Sequence, residues 1–375
     1  MSYYTDLKTG HDIASFVRRQ VKSAEEIATT VDGSPIQVVK LGGGRKPAIL
    51  LKAGNHSSEI AGIHALLTFL AEGLQSPFET HIIPCGSPFD FGGYRFALEW
   101  ASETKVHIED DEQCLAELTR LGRKVYEGEH FILFEVRNTL FTWVDRKKLD
   151  SRRLFYGQLD TLTLRDPELR AILSGKRIFF PNELYYPEDY GSYDQAGLVG
   201  WTSPDGYVSN LNRLYDRYDV PPELWSIRDY CERLKPAMVI DLHESCINTR
   251  IPEKLKRSGE QLGNHFLILP PVHAPSYEAI ETPVAEAMVA ATGNAGFDCF
   301  TLSQLEAAWG YPDTDYFHGY LRKDVRDGMP FYRWAIRFAD VSITTETSMD
   351  MPIEKRVMIH ITLVNAAIEA FSRFL

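Results

Sequence analysis

Pro47-Ala48-Ile49-Leu50-Leu51-Lys52-Ala53-Gly54-Asn55-His56-Ser57-Ser58-Glu59 is the stretch on which the reading of this chain turns. A strand-like run over 47–53 breaks at Gly54-Asn55. A helix-like run follows, with Ile60, Ile63, Leu66, Leu67 and Leu70 at helical spacing. A His and a Glu three residues apart at such a corner can aim an imidazole nitrogen and a carboxylate oxygen at one point. That supplies two of the three protein ligands of a catalytic zinc site, whose fourth position stays open for water. A third ligand is offered by His243, in Asp241-Leu242-His243-Glu244, at the end of the apolar run Ala237-Met238-Val239-Ile240. A bare H-x-x-E is frequent by chance. Here both segments place their ligands at strand carboxyl ends, where open α/β sheets gather ligands. The residues imply a zinc hydrolase with His56, Glu59 and His243 around one Zn²⁺.

Outward from that corner, residues 34–41 read as a strand, Gly42-Gly43-Gly44 as a tight turn, 59–74 as a helix and 78–84 as another short strand. This order predicts an α/β sheet covered by helices on both faces. The glycine triplet lacks the spaced glycines that precede a phosphate-binding helix. Residues 95–200 are rich in charge and aromatics, with helix-like pieces at Asp111–Leu121 and Asp166–Leu173 and a strand-like Phe131–Val136. A Tyr/Pro/Gly-rich stretch closes this block at Pro181–Gly200, and the whole reads as an insertion or subdomain within a single domain spanning 1–375. Sheet rhythm resumes at Ala237–Leu242, Phe266–Leu269, Phe297–Leu302 and Val341–Thr345, with helices over Pro283–Ala291 and Glu354–Phe374.

The 375 residues can bury a substantial core, and 44 % hydrophobic with 25 % charged residues is ordinary for a globular chain. A net charge of −12 argues against nucleic acid or an anionic membrane as partner. Cys85, Cys114, Cys231, Cys246 and Cys299 are dispersed, which fits free thiols in a reducing compartment. The opening Met1-Ser2-Tyr3-Tyr4-Thr5-Asp6 lacks the pattern of a signal peptide, and no run of sequence suggests a membrane span. A cytoplasmic location is the expectation.

A hydrolase also needs a base for water. Glu346, in Ser342-Ile343-Thr344-Thr345-Glu346-Thr347, stands at the carboxyl end of a strand-like run. In a partly desolvated cleft such a carboxylate can take a proton from water and return it to a leaving amine. Its bland reading is a cap for the helix starting near Pro352. Asn210-Leu211-Asn212-Arg213 offers Arg213 as a bidentate partner for a substrate carboxylate, with Asn212 as a neutral hydrogen-bonding arm. His64 is expected to face core or solvent rather than metal.

Together these segments resemble the zinc carboxypeptidase (M14, carboxypeptidase A-like) family, in family order. His56-Ser57-Ser58-Glu59 resembles its first metal motif, and Ser87-Pro88-Phe89-Asp90-Phe91-Gly92-Gly93-Tyr94 loosely echoes its Asn-Pro-Asp-Gly-Tyr turn. Asn210 to Arg213 resembles the substrate-carboxylate motif, His243 the third ligand, Gly328 to Trp334 the stretch near the specificity pocket, and Thr345-Glu346 the catalytic glutamate segment. The resemblance implies a mixed, mainly parallel eight-stranded sheet with helices on both faces, one Zn²⁺, and cleavage of an amide bond next to a terminal carboxylate. Arg213 and Asn212 would then hold that carboxylate, and Glu346 would activate water.

Several positions depart from the family pattern. Ser58 fills the place of an arginine, and no arginine occurs between Arg177 and Arg213, so Arg177, Arg153 or Arg95 would have to stand in as the second cation. The family's mobile tyrosine has Tyr320 as its nearest match and Tyr332 in reserve. Arg333 replaces the usual Asp before Trp334, and a preference for acidic substrates through Arg333 or Arg326 is one consequence. Two other readings stay open: an N-acyl amino acid deacylase of the succinylglutamate desuccinylase or aspartoacylase kind, and a non-catalytic binding protein on the same scaffold. The partner is accordingly a peptide or an N-acyl amino acid.

Overall fold

Alternation along three central strands determines which side chains share a face. The computed structural model describes residues 7–56, 58–129, 131–144, 159, 163, 165–181, 199–206, 208–245, 265–269, 275–299, 315–317, 320–322, 328–349 and 351–375. Its main sheet is built from β1 (Glu25–Thr29), β2 (Pro35–Leu41), β3 (Arg45–Ala53) and β4 (Phe78–Ile83). A second sheet follows: β5 (Arg123–Glu127), β6 (Phe131–Val136), β7 (Thr139–Val144), β8 (Arg177–Phe179), β9 (Val199–Thr202) and β10 (Val208–Asn210). The chain then returns to the main sheet with β11 (Met238–Ser245), β12 (His265–Leu269), β13 (Asp298–Cys299), β14 (Asp315–Phe317), β15 (Tyr320–Arg322) and β16 (Val341–Ser348).

The main sheet runs β1-β2-β4-β3-β11-β16-β12-β15-β14, with β13 beside β12. Among the described residues it therefore has ten strands where eight were expected; the short β13 and β14 are extra edge pairings on β12 and β15. Five of its pairings are parallel and four antiparallel. The sheet is thus mixed, with the unbroken parallel run confined to β4-β3-β11-β16.

Helices cover both faces. On one face lie α1 (Gly10–Gln20), α2 (Ile60–Glu72), an α-helix over Pro275–Asn294, and the closing helix Ile353–Phe371. They share a core with Ile49, Leu51 and Ala53 of β3, Met238, Ile240 and Leu242 of β11, and Val341 and Ile343 of β16. On the other face a helix over Pro222–Leu234 and a short one over Phe331–Ala335 pack against Leu50 and Val239. Side chains alternate along a strand. Lys52, Asp241, His243 and Glu346 therefore fall on the second face, and Glu244, Thr345 and Thr347 on the first.

The closing helix, extended to Phe374, is long and apolar enough to pass a length-and-composition test for a membrane span, which the sequence reading did not anticipate. Half of it is buried against the core, and Arg356 and His360 lie on its buried side. That is how a core helix behaves. Cys85, Cys114, Cys231 and Cys299 are free thiols, and Cys246 lies outside the described residues.

The second sheet, ordered β10-β9-β8-β7-β6-β5, has its own apolar clusters, one around Phe89, Phe134, Phe141 and Phe179 and one around Leu133, Leu140, Leu173 and Ile178. A buried ion triad ties it to the rest. Arg177 of β8 donates to Asp90 at 2.5 Å and also to Glu223 in the helix over 222–234. All three are nearly inaccessible. Arg177 is thus held inside by two carboxylates, which removes it from the candidates for a second substrate cation. Arg153 lies outside the described residues, as does most of the Pro181–Gly200 stretch.

Candidate metal centre

The corner between β3 and α2 is made by Gly54, whose φ of +70° and close approach to Cys85 exclude a side chain. It turns the chain so that His56 leaves the strand end and Glu59 opens α2. Glu59 stands at the helix N-cap, yet its side chain caps nothing. Its carboxylate lies between two imidazoles instead. His56 Nδ1 is 2.6 Å from Oε1 and His243 Nδ1 is 2.6 Å from Oε2. The two rings stand 5.0 Å apart between centroids, edge to face.

The donor chemistry fits a metal ion. One ligand atom from each of His56, Glu59 and His243 can be chosen so that all lie within 4.8 Å of one another. Each ring has its other nitrogen occupied. His243 Nε2 is 2.9 Å from Asp241 Oδ2 and Nδ1 faces Glu59 Oε2; a carboxylate can only accept, so without a metal both nitrogens donate, and a metal on Nδ1 would leave the proton on Nε2. His56 Nε2 is 3.3 Å from Asn210 Oδ1, which orients that ring the same way. Outer partners of this kind fix tautomer and ring plane for a metal. Glu59 and His243 are buried, while His56 is partly exposed, so the centre is open on the His56 side.

Beneath the ligands is a closed polar layer that the sequence reading missed. Lys52 Nζ donates to Asp241 Oδ1 at 3.0 Å and to Asn55 Oδ1. Asn55 Nδ2 donates to Asp241 Oδ2 at 2.8 Å, and Tyr215 OH to Asn55 Oδ1 at 3.2 Å. The ammonium lies 4.6 Å from the Phe331 ring centroid. Lys52 and Asp241 are fully buried. Burial lowers the Lys52 pKa although Asp241 opposes it. Burial alone would raise the Asp241 carboxyl, but Lys52 and His243 beside it bring it below its ordinary value. For His243 burial works downward and is outweighed by Asp241 and Glu59, so its pKa is raised. Glu59, against the pull of burial, is held well below the carboxylate range by His56 and His243. A lysine inside the otherwise apolar run 47–53 was a signal for this layer.

Glu346 is the register partner of His243 in the parallel β11–β16 pair, so its side chain leaves the sheet on the ligand face one strand away. It is half-buried. Asn212, read as an arm toward substrate, is turned into the protein. Its Oδ1 accepts from Phe331 N at 3.1 Å and from Asn55 Nδ2 at 3.4 Å, and its Nδ2 is 3.4 Å from His243 Nε2. Its place is behind the ligand. Arg213 beside it is half-buried, with Nη1 donating to the Asn212 carbonyl at 3.2 Å.

The two stretches matched near the substrate pocket run together. Met329 N donates to Arg213 O at 3.0 Å and Tyr215 N to Met329 O at 3.1 Å. Arg333 is half-buried in the helix over 331–335, and Tyr332 is buried at 4 % exposure, enclosed where a mobile tyrosine would need room. Tyr320 contributes backbone to β15; its side chain, like Ser57 and Arg326, lies outside the described residues. Arg95 is half-buried on a helix over Gly93–Ser102. His64 is buried in α2, as expected.

No protein-family model matches the chain, and no curated protein matches it. Solved structures do. Thrombin activatable fibrinolysis inhibitor is similar over 100 % of this chain and 77 % of its own, at 12 % identity and a TM-score of 0.50. This chain shares that fold. The bovine inhibitor in complex with tick carboxypeptidase inhibitor is similar over 100 % of both chains, at 12 % identity and a TM-score of 0.49. A metallo-carboxypeptidase from Burkholderia cenocepacia is similar over 96 % of this chain and 69 % of its own, at 12 % identity and a TM-score of 0.46. The resemblance drawn from the motifs therefore holds at the level of the fold.

Proposed function

We propose that this chain is a zinc-dependent metallohydrolase that cleaves an amide bond next to a terminal carboxylate, in the manner of a metallocarboxypeptidase. The observation that carries the reading is the pair of imidazoles meeting one carboxylate, each ring with Nε2 occupied and Nδ1 turned inward. Two nitrogens and a carboxylate with an open side suit zinc in a catalytic setting. When bound, the ion supplies Lewis-acid polarisation of a carbonyl and brings the pKa of water near 7.

The chain's own residues do the rest. Asp241, held by Lys52 and Asn55, keeps the proton of His243 on Nε2. Glu346, beside His243 in the register, accepts a proton from the attacking water and delivers it to the leaving nitrogen. Arg213 presents a planar guanidinium to the substrate carboxylate, and Asn212 locks the segment that carries it. A substrate aligned by its carboxylate places the neighbouring amide at the metal centre, which is a gain in orientation.

Glu346→Gln is the direct test. It should leave metal binding intact and reduce kcat by about 10²- to 10⁴-fold; turnover at the wild-type rate would remove Glu346 from the chemistry. Peptides and small N-acyl amino acids should be assayed in parallel. Trimming of single carboxy-terminal residues is the expected outcome. Cleavage of N-acyl amino acids alone would replace the peptidase with a deacylase, and cleavage of neither would leave a binding protein.

A further inference from the structure

On the reverse face of the same strands lies a second polar cluster that contributes no ligand. Glu244 follows His243 in β11 and is 2 % exposed. Its Oε2 accepts from the backbone N–H of Ala61 at 2.7 Å. Its Oε1 accepts from Arg356 Nη1 of the closing helix at 2.7 Å and from Thr347 Oγ1 of β16 at 3.2 Å. Ala61 is two residues past the ligand Glu59, and Thr347 is one past Glu346. One carboxylate thus touches all three segments from which the centre is assembled.

The local chemistry of α2 explains why this carboxylate is needed. A helix begins with N–H groups that have no partner within the helix, and the N-cap side chain ordinarily accepts from one of them. Here the N-cap residue is Glu59, whose carboxylate is committed to His56 and His243 and makes no cap hydrogen bond. Glu244 supplies the missing acceptor and a negative charge at the helix start. Close approach reinforces it. A Cβ on Gly62 would lie 2.7 Å from Leu242 Cβ and 3.0 Å from Leu242 O, so the first turn of α2 rests directly on β11.

We propose that Glu244 is a positioning residue: from behind the sheet it fixes the distance between the His56–Glu59 corner and the strand end that carries His243, with Arg356 and Thr347 holding it in place. The inference rests on the metal-centre reading for its consequence, but its geometry does not depend on it. Glu244→Gln keeps the size and removes one carboxylate oxygen; Thr347→Val removes only a hydroxyl. Asp90→Asn, in the separate ion triad with Arg177 and Glu223, serves as the control for lost stability alone.

Zn²⁺ affinity is measured by chelator competition, and amide exchange over residues 58–66 is measured on the metal-free protein. Glu244→Gln should weaken zinc about 10- to 100-fold, as loss of an outer partner does, and speed exchange at Ala61 about tenfold. Thr347→Val should move both in the same direction by less, and it decides the matter if Glu244→Gln does not fold. Asp90→Asn should lower the melting temperature and leave zinc affinity unchanged. Unchanged zinc affinity in folded Glu244→Gln, or equal weakening by Asp90→Asn at equal loss of stability, overturns the proposal. If the wild-type protein binds no zinc, the functional reading fails by itself. Exchange at Ala61 then judges the positioning role: faster exchange in the variant supports it, and unchanged exchange overturns it.

Discussion

His243 on β11 and His360 on the closing helix lie on opposite faces of the sheet at the carboxyl end of the parallel run, at 1 % and 0 % exposure, and their proton affinities move in opposite directions. Burial works to lower both. On the ligand face Asp241 and Glu59 outweigh it and His243 is raised. On the reverse face burial and then Arg356 lower His360 to about 3, and its ring is met by the hydroxyls of Thr345 and Thr347 at 3.1 and 3.2 Å. Burial alone therefore does not mark a site. What distinguishes the two faces is where the charges point. Asp241 and Glu59 both converge on an imidazole, with Glu59 shared between two rings of which His56 is partly open to solvent, which is the arrangement a cation completes. Glu244 and Arg356 close on each other and complete themselves.

The comparison breaks most visibly at Lys52. Lys52→Met leaves Asp241 as a buried carboxylate without its cation, and loss of one partner of a buried pair costs about 3–5 kcal/mol. Denaturant unfolding should report a loss of that size. A loss below about 1 kcal/mol would mean that Asn55 and His243 suffice to hold Asp241, and the layer beneath the ligands would lose its centre.

A smaller effect is expected at the contact between the two halves of the site. Gly62→Ala forces α2 away from Leu242, an overpacking that costs about 1–3 kcal/mol, and it should weaken metal binding as well. A stable variant with unchanged metal affinity would show that the spacing between α2 and β11 does not set the centre.

The pH dependence of stability in the metal-free protein sharpens the contrast through its sign. His64, lowered to about 4, and His360, lowered to about 3, stay neutral in the fold while the unfolded chain takes up protons below 6.5. Stability should fall as pH drops from 6.5 toward 4, by at most about 1.4 kcal/mol per pH unit for each histidine. His243 acts oppositely: its raised pKa adds stability that is present below 6.5 and lost as pH rises above it. His360→Leu should flatten the acid limb by about 1 kcal/mol per pH unit and leave the alkaline limb in place. An unchanged acid limb would show that His360 is not what titrates there.

The parts of this arrangement that the sequence displays are those written in contiguous runs. The apolar stretches at 47–53, 237–242 and 341–345 are β3, β11 and β16, and the residues just past their apolar cores are the ligands and Glu346. The second sheet is poorly displayed because β8 and β10 have three residues each, too few for a period to emerge. Arg177 was offered by the sequence as a stand-in second cation, and its two carboxylate partners, 87 and 46 residues away, show it to be an anchor. Glu244 sits beside a ligand in plain view, but its partners Ala61, Thr347 and Arg356 are 183, 103 and 112 residues distant. No local pattern could have announced them. Lys52 was hidden by being read as part of an apolar run.

Metal analysis of the purified protein, wild type against Glu59→Ala, tests the central claim most directly. The wild-type chain should retain one zinc ion, released by a chelator and restored by added Zn²⁺, and Glu59→Ala should retain none while remaining folded. A wild-type chain that takes up no zinc, or a Glu59→Ala chain that holds as much as the wild type, would contradict it.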